Sequence, residues 1–138
     1  MANYGCASRT NYFRVTDEEK YQELFSGLCA EDTIQDFTVV DENGSLLHGF
    51  GCYGSPFWED PNGEAEDGFD GFVDVLRKIL PEDEAFIYLE SGNEKLRYLI
   101  GIYITATRDE VRSGDIAELA QEAAKEMLGD EFTTRVYY

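Results

Sequence analysis

Apolar residues recur at helical spacing in three stretches. Tyr21, Leu24, Phe25 and Leu28 fall at i, i+3, i+4 and i+7. Thr16-Asp17-Glu18-Glu19 precedes them as a capping box, with Thr16 as N-cap and Glu19 at the third helical position. This predicts a helix over 17–28. Phe69, Phe72, Val73, Leu76, Ile79 and Leu80 form a second stripe, which Asp67 would cap and Pro81 would end. Ile116, Leu119, Ala120, Ala123 and Met127 form a third, expected to face inward, with Asp115 as its cap and Gly129 at its end.

Between the helices the pattern shortens to that of strands. Asn11–Val15 is aromatic and β-branched, and Phe37–Val40 and Leu46–Tyr53 flank Glu42-Asn43-Gly44, where Asn-Gly favours a type I′ hairpin. Ala85–Leu89 and Tyr98–Thr107 flank a second turn at 90–95. A last strand over Phe132–Tyr138 is an open alternative. The expected order is β-α-β-β-α-β-β-α with that optional final strand. Hairpins require antiparallel pairing, so the fold class is α+β: one domain over 1–138, a mainly antiparallel sheet of five to six strands and three helices packed on one face. Residues 54–68 form a long acidic loop with two prolines, and a loop of that length is functional or mobile.

Charge alters this ordinary picture. The 138 residues carry 29 acids and 11 bases, 11 − 29 = −18, with a single histidine. Between Lys20 and Arg77 there is no Lys or Arg, and thirteen acids fall in that gap. Apolar residues at 43% and aromatics at 14% argue against disorder. Such a balance argues against direct nucleic-acid binding and against docking on an anionic membrane, both of which need basic surface. No run of apolar residues is long enough to span a bilayer, and residues 1–9 lack the pattern of a signal peptide, so a cytoplasmic protein is expected. Three widely spaced cysteines, Cys6, Cys29 and Cys52, fit reduced thiols better than a disulfide framework or a zinc ribbon.

The chemical motifs are weak. Gly49-Phe50-Gly51-Cys52-Tyr53-Gly54 matches G-x-G-x-x-G, but Ser55-Pro56-Phe57-Trp58 follows where a nucleotide site needs a helix. Asp60-Pro61-Asn62-Gly63-Glu64-Ala65-Glu66 resembles a calcium loop yet has Ala65 and Gly71 where an EF-hand needs Gly and Glu. Loose divalent-cation binding stays open there. His48 and Cys52 share a strand face but make only two of the four ligands that zinc usually takes. No catalytic residue, metal ligand or cofactor is assigned. A solvated, solubilising face competes with a binding face for the acids. Single-sign surface destabilises a compact chain, and a cationic partner offsets that cost. The partner-binding residues expected are Glu59, Asp60, Glu64, Glu66, Asp67, Asp70 and Asp74. Asp41, Glu42 and Asp36 would join them if the first hairpin adjoins the loop. Trp58 is either a core lid or an aromatic anchor for a partner.

Small acidic α/β chains of this kind resemble the anti-defence inhibitors of phages and conjugative elements, including anti-restriction DNA mimics and anti-CRISPR proteins. The stretches Ser8–Lys20 and Leu89–Lys95 look like those of proteins carried by bacterial mobile elements. The resemblance carries no catalytic signature and transfers no residue role. It implies a non-enzymatic inhibitor in a bacterial host cytoplasm, whose acidic face fills the nucleic-acid-binding groove of a CRISPR effector or restriction enzyme. The alternatives are an immunity protein against a nuclease toxin, an enzyme or metal-binding module, and a partner of a larger assembly held through Trp58 and the tyrosines. A homodimer is open.

Overall fold

The computed structural model describes residues 4–135. Its elements are β1 (Tyr4–Thr10), α1 (Glu18–Phe25), β2 (Leu28–Cys29), β3 (Gln35–Asp36), β4 (Val39–Val40), β5 (Leu46–Leu47), β6 (Phe50–Cys52), β7 (Phe57–Trp58), α2 (Phe69–Arg77), β8 (Phe86–Glu94), β9 (Tyr98–Ala106), β10 (Val111–Asp115) and α3 (Ile116–Leu128). Six strands form one sheet in the order β10-β9-β8-β1-β6-β3, with every neighbouring pair antiparallel. The α+β class holds. Two small ribbons, β2 with β7 and β4 with β5, stand outside this sheet.

The first strand lies earlier than its apolar pattern predicts. Its core-facing side chains include Ser8 and Thr10, buried polar groups that no hydrophobic alternation reveals. Each is satisfied: the Ser8 hydroxyl donates to the Gly54 carbonyl at 2.9 Å, and Thr10 donates to the Asn11 carbonyl and accepts from the Phe50 amide. Phe13 keeps only an isolated bridge to His48, with reciprocal amide bonds of 2.8 Å. The 46–53 strand breaks in two around that bridge. The hairpin expected at 90–95 turns later, at Lys95–Arg97, with Lys95 at φ 50°. Ser91-Gly92-Asn93 is extended because β1 and β9 pair with it from both sides.

Capping differs by one residue at α1. Asp17 accepts from the Lys20 amide at 3.0 Å, while the Thr16 hydroxyl donates instead to the Ile79 carbonyl. Gly68, at φ 114°, takes the N-cap position of α2 without a side-chain bond, so Asp67 does not cap it. Asp115 does cap α3, accepting from the Glu118 amide at 2.7 Å.

The core lies between the sheet and the pair α1 and α2. Phe13, Phe50, Phe72 and Phe86 interlock at ring separations of 5.2–6.2 Å where they meet. Trp58 is 1% exposed, and its indole N–H donates to the Leu24 carbonyl at 2.9 Å. A Cβ at Gly71 would lie 2.1 Å from the Glu66 carbonyl oxygen and 3.1 Å from the indole. One at Gly27 would strike the Glu59 carbonyl and the indole nitrogen.

The third helix departs from expectation. It follows β10, an unanticipated strand, and Ile116 packs over Gly101 on the sheet face opposite α1 and α2. None of its residues is buried, and Ile116, Leu119, Ala120 and Met127 are exposed. Residues 132–135 form no strand, and the remainder of that predicted strand lies outside the described residues.

Truncating Trp58 to Ala removes both its packing and its hydrogen bond. We expect a loss of about 3–5 kcal/mol in denaturant titration. Trp58→Phe keeps most of the packing and costs less. Equal stability of the Ala variant and the parent would remove Trp58 from the core.

Candidate functional site

The loop expected over 54–68 is tied to the core at both ends. Phe57–Trp58 pairs with Leu28–Cys29, and the Gly68 amide donates to the Trp58 carbonyl at 2.7 Å. Between these anchors Asp60 organises the turn. Its carboxylate accepts from the backbone amides of Asn62 at 2.9 Å, Glu64 at 2.8 Å and Ala65. Asn62 donates in turn to the Glu23 carboxylate on α1. The acidic loop is therefore folded surface.

Four of the expected carboxylates converge. Glu66, Asp67, Asp70 and Asp74 surround one open hollow of about 400 Å³ at the start of α2, with Phe69 beneath them. All four are exposed. Asp70 and Asp74, four apart on α2, share one flank, Glu66 and Asp67 reach the hollow from the loop before the Gly68 cap, and the positive end of the helix dipole favours Asp67 and Asp70. Glu59 and Glu64 are exposed on the adjoining loop but do not line this hollow.

Other expected members separate from this group. Trp58 is a core residue and presents no surface to a partner. Asp60 spends its oxygens on its own loop. Asp41 accepts from the amides of Asn43 and Ser45 within the β4–β5 turn. The wider loop at 41–45 closes with Gly44 at φ 81° while Asn43 keeps negative φ, so the turn is not type I′. Glu42 is exposed on the same hairpin, which pairs only within itself. Asp36 accepts from the Thr38 amide.

The remaining motifs resolve into structure. At Gly51 a Cβ would lie 2.7 Å from the Ser8 carbonyl oxygen, so the glycine run lets β1 approach β6. His48 is fully buried, stacked 4.1 Å from Tyr21, with Glu18 at Nε2 (2.6 Å) and Thr38 at Nδ1 (3.3 Å). Both ring nitrogens are engaged in the packing of α1 on the strands. Cys6, Cys29 and Cys52 are free thiols, and burial pushes the Cys52 thiol up. Among the described residues no group of three His, Cys, Asp or Glu side chains is arranged to hold a metal ion. No helix there is long and apolar enough to cross a membrane.

Comparison with protein-family models, curated proteins and solved structures finds no match.

The Asp60 carboxyl is held below its ordinary value by hydrogen bonds from the Ala65 and Asn62 amides, which outweigh its slight desolvation. A depressed folded-state value means that Asp60 contributes fully to loop order above the ordinary aspartate value of 3.8. That contribution is lost as pH falls below it, through the folded value. At neutral pH we expect Asp60→Asn to speed amide exchange at Glu64 and Ala65 while β8 and β9 keep their protection. Unchanged exchange at those two amides would show that the carboxylate does not hold the turn.

Proposed function

We propose that the protein is a non-enzymatic inhibitor that presents an ordered acidic face to the basic nucleic-acid-binding groove of a bacterial defence complex, a CRISPR effector or a restriction enzyme. The observation that supports this reading most is the grouping of Glu66, Asp67, Asp70 and Asp74 around one hollow on anchored backbone. The chain around them carries no Lys or Arg from residue 21 to residue 76.

DNA holds basic grooves by displacing counterions from regularly placed phosphates. Carboxylates on a folded surface gain the same steering and counterion release without being a substrate for cleavage. Order matters here, because a mobile acidic segment would lose side-chain and backbone entropy on docking. The Trp58 anchor and the Asp60 turn remove much of that cost beforehand.

The test is competition. Purified CRISPR effectors, restriction endonucleases and a nuclease toxin are each loaded with labelled DNA and titrated with the protein over a salt series. The reading expects DNA displacement from an effector or restriction enzyme that weakens as salt rises. Displacement only from the toxin would favour an immunity protein instead. Reversing Asp67, Asp70 and Asp74 to Lys changes the net charge by 3 × 2 = 6, from −18 to −12. These side chains are exposed, so we expect a folded variant with unchanged circular dichroism, a melting midpoint lowered only slightly by the lost helix-dipole contacts, and inhibition weakened by about tenfold or more. Full inhibition by the folded triple variant would remove this face from the interface.

A further inference from the structure

The sheet face turned away from α1 and α2 is open. Between α3 and Phe37 runs a groove of about 610 Å³, walled by Phe37, Leu89, Tyr103, Ile116 and Leu119 and floored by Gly51 and Gly101. No carboxylate side chain faces into it. Glu90 borders it through its backbone, but its register with Tyr88 and Ile102 sets its side chain on the core face, where it accepts from the Tyr88 hydroxyl. The cation at the groove is Arg9, whose guanidinium lies 5.3 Å from the centre of the Phe37 ring. Arg9 forms no ion pair among the described residues.

The complement to this groove lies on the same chain. Leu119, Ala123 and Met127 form one row along α3, and Glu118, Glu122 and Glu126 form the next. Leu119 is 48% exposed and Met127 80% exposed, and all three glutamates are exposed. Within one copy only the first turn of α3, which starts directly from β10, borders the groove, through Ile116 and Leu119, and Ala123 and Met127 lie beyond it.

We propose that two copies associate through this face about a two-fold axis. Each lays the Leu119–Met127 row of α3 over the other's groove and brings Glu122 and Glu126 beside the other's Arg9. Charge selects the occupant and the face. A chain of net charge −18 repels its own copy wherever acids face acids. This groove is free of acidic side chains, holds a cation, and fits an apolar surface edged with carboxylates, which α3 supplies. The arrangement is isologous, so one pair of surfaces is used twice. It stands apart from the acidic hollow on α2, and the Asp67, Asp70 and Asp74 reversals leave it intact.

The measurement is sedimentation equilibrium over a wide concentration range. We expect the mass to rise from 15.6 kDa towards twice that value. Met127→Glu and Arg9→Glu, both at exposed positions, each raise the dissociation constant by about tenfold or more with unchanged circular dichroism. Adding Glu122→Arg and Glu126→Arg to Arg9→Glu restores association. A parent chain that stays monomeric at millimolar concentration overturns the proposal. So does a dimer indifferent to both single variants, which would place the contact elsewhere, and so does failure of the reversed charges to restore it.

Discussion

The burial of Trp58 is the constraint on which the rest of this molecule depends. Its indole fills the space where the end of α1, the start of α2 and the β2–β7 ribbon meet, and its N–H satisfies the Leu24 carbonyl at 2.9 Å. Two glycines exist to admit it. Gly27 and Gly71 have no room for a Cβ beside the ring and the carbonyls of Glu59 and Glu66. Those carbonyls belong to the acidic loop, so the close packing that buries the indole also fixes the backbone that carries Glu59, Glu66 and Asp67.

This coupling reconciles two tendencies in the chain. A net charge of −18 favours expansion, whereas the ring cluster of Phe13, Phe50, Phe72, Phe86 and Trp58 favours collapse. The charges on the loop need no local cations because backbone amides supply the positive ends of dipoles. Three such amides point at Asp60, and the N-terminus of α2 lies beneath Asp67 and Asp70. What remains outward is a group of carboxylates on ordered backbone. The groove on the opposite face of the sheet has the reverse character, apolar with Arg9 at its edge, so the molecule carries two chemically distinct surfaces.

The α+β class, the antiparallel sheet and the three helices were legible because their apolar spacing is strong and Asn43-Gly44, Pro81 and Gly129 punctuate it. The placing of Asp70 and Asp74 on one flank was legible too, since helical periodicity sets it, whereas Glu66 and Asp67 join them through the loop before the Gly68 cap, which periodicity does not show. Other features were hidden for physical reasons. β1 turns Ser8 and Thr10 inward, and a buried hydroxyl satisfied by a carbonyl leaves no hydrophobic signal. The extension of β8 through Ser91-Gly92-Asn93 comes from pairing on both sides, which local propensity opposes. Trp58 reads equally as lid or anchor until Gly27 and Gly71 are seen to make room for it. The α3 stripe has a helix's amphipathicity and no core to meet, because periodicity shows that a face is apolar but not what covers it. Asp41 and Glu42 share the loop's charge without its location, since charge along a chain does not record which ribbons pack together.

Under the proposed function, the ordered carboxylates of the 59–74 segment are the preferred contact for basic surface. Amide-resolved NMR titration with an oligo-arginine peptide at two ionic strengths tests it most directly. We expect shifts concentrated at Glu66 to Asp74, saturable and weakened at the higher salt. Shifts spread evenly over all acidic segments would show that the charge is a diffuse solubilising coat, and shifts centred on Asp41 and Glu42 would place the contact on the β4–β5 hairpin; either result contradicts a preferred contact at 59–74.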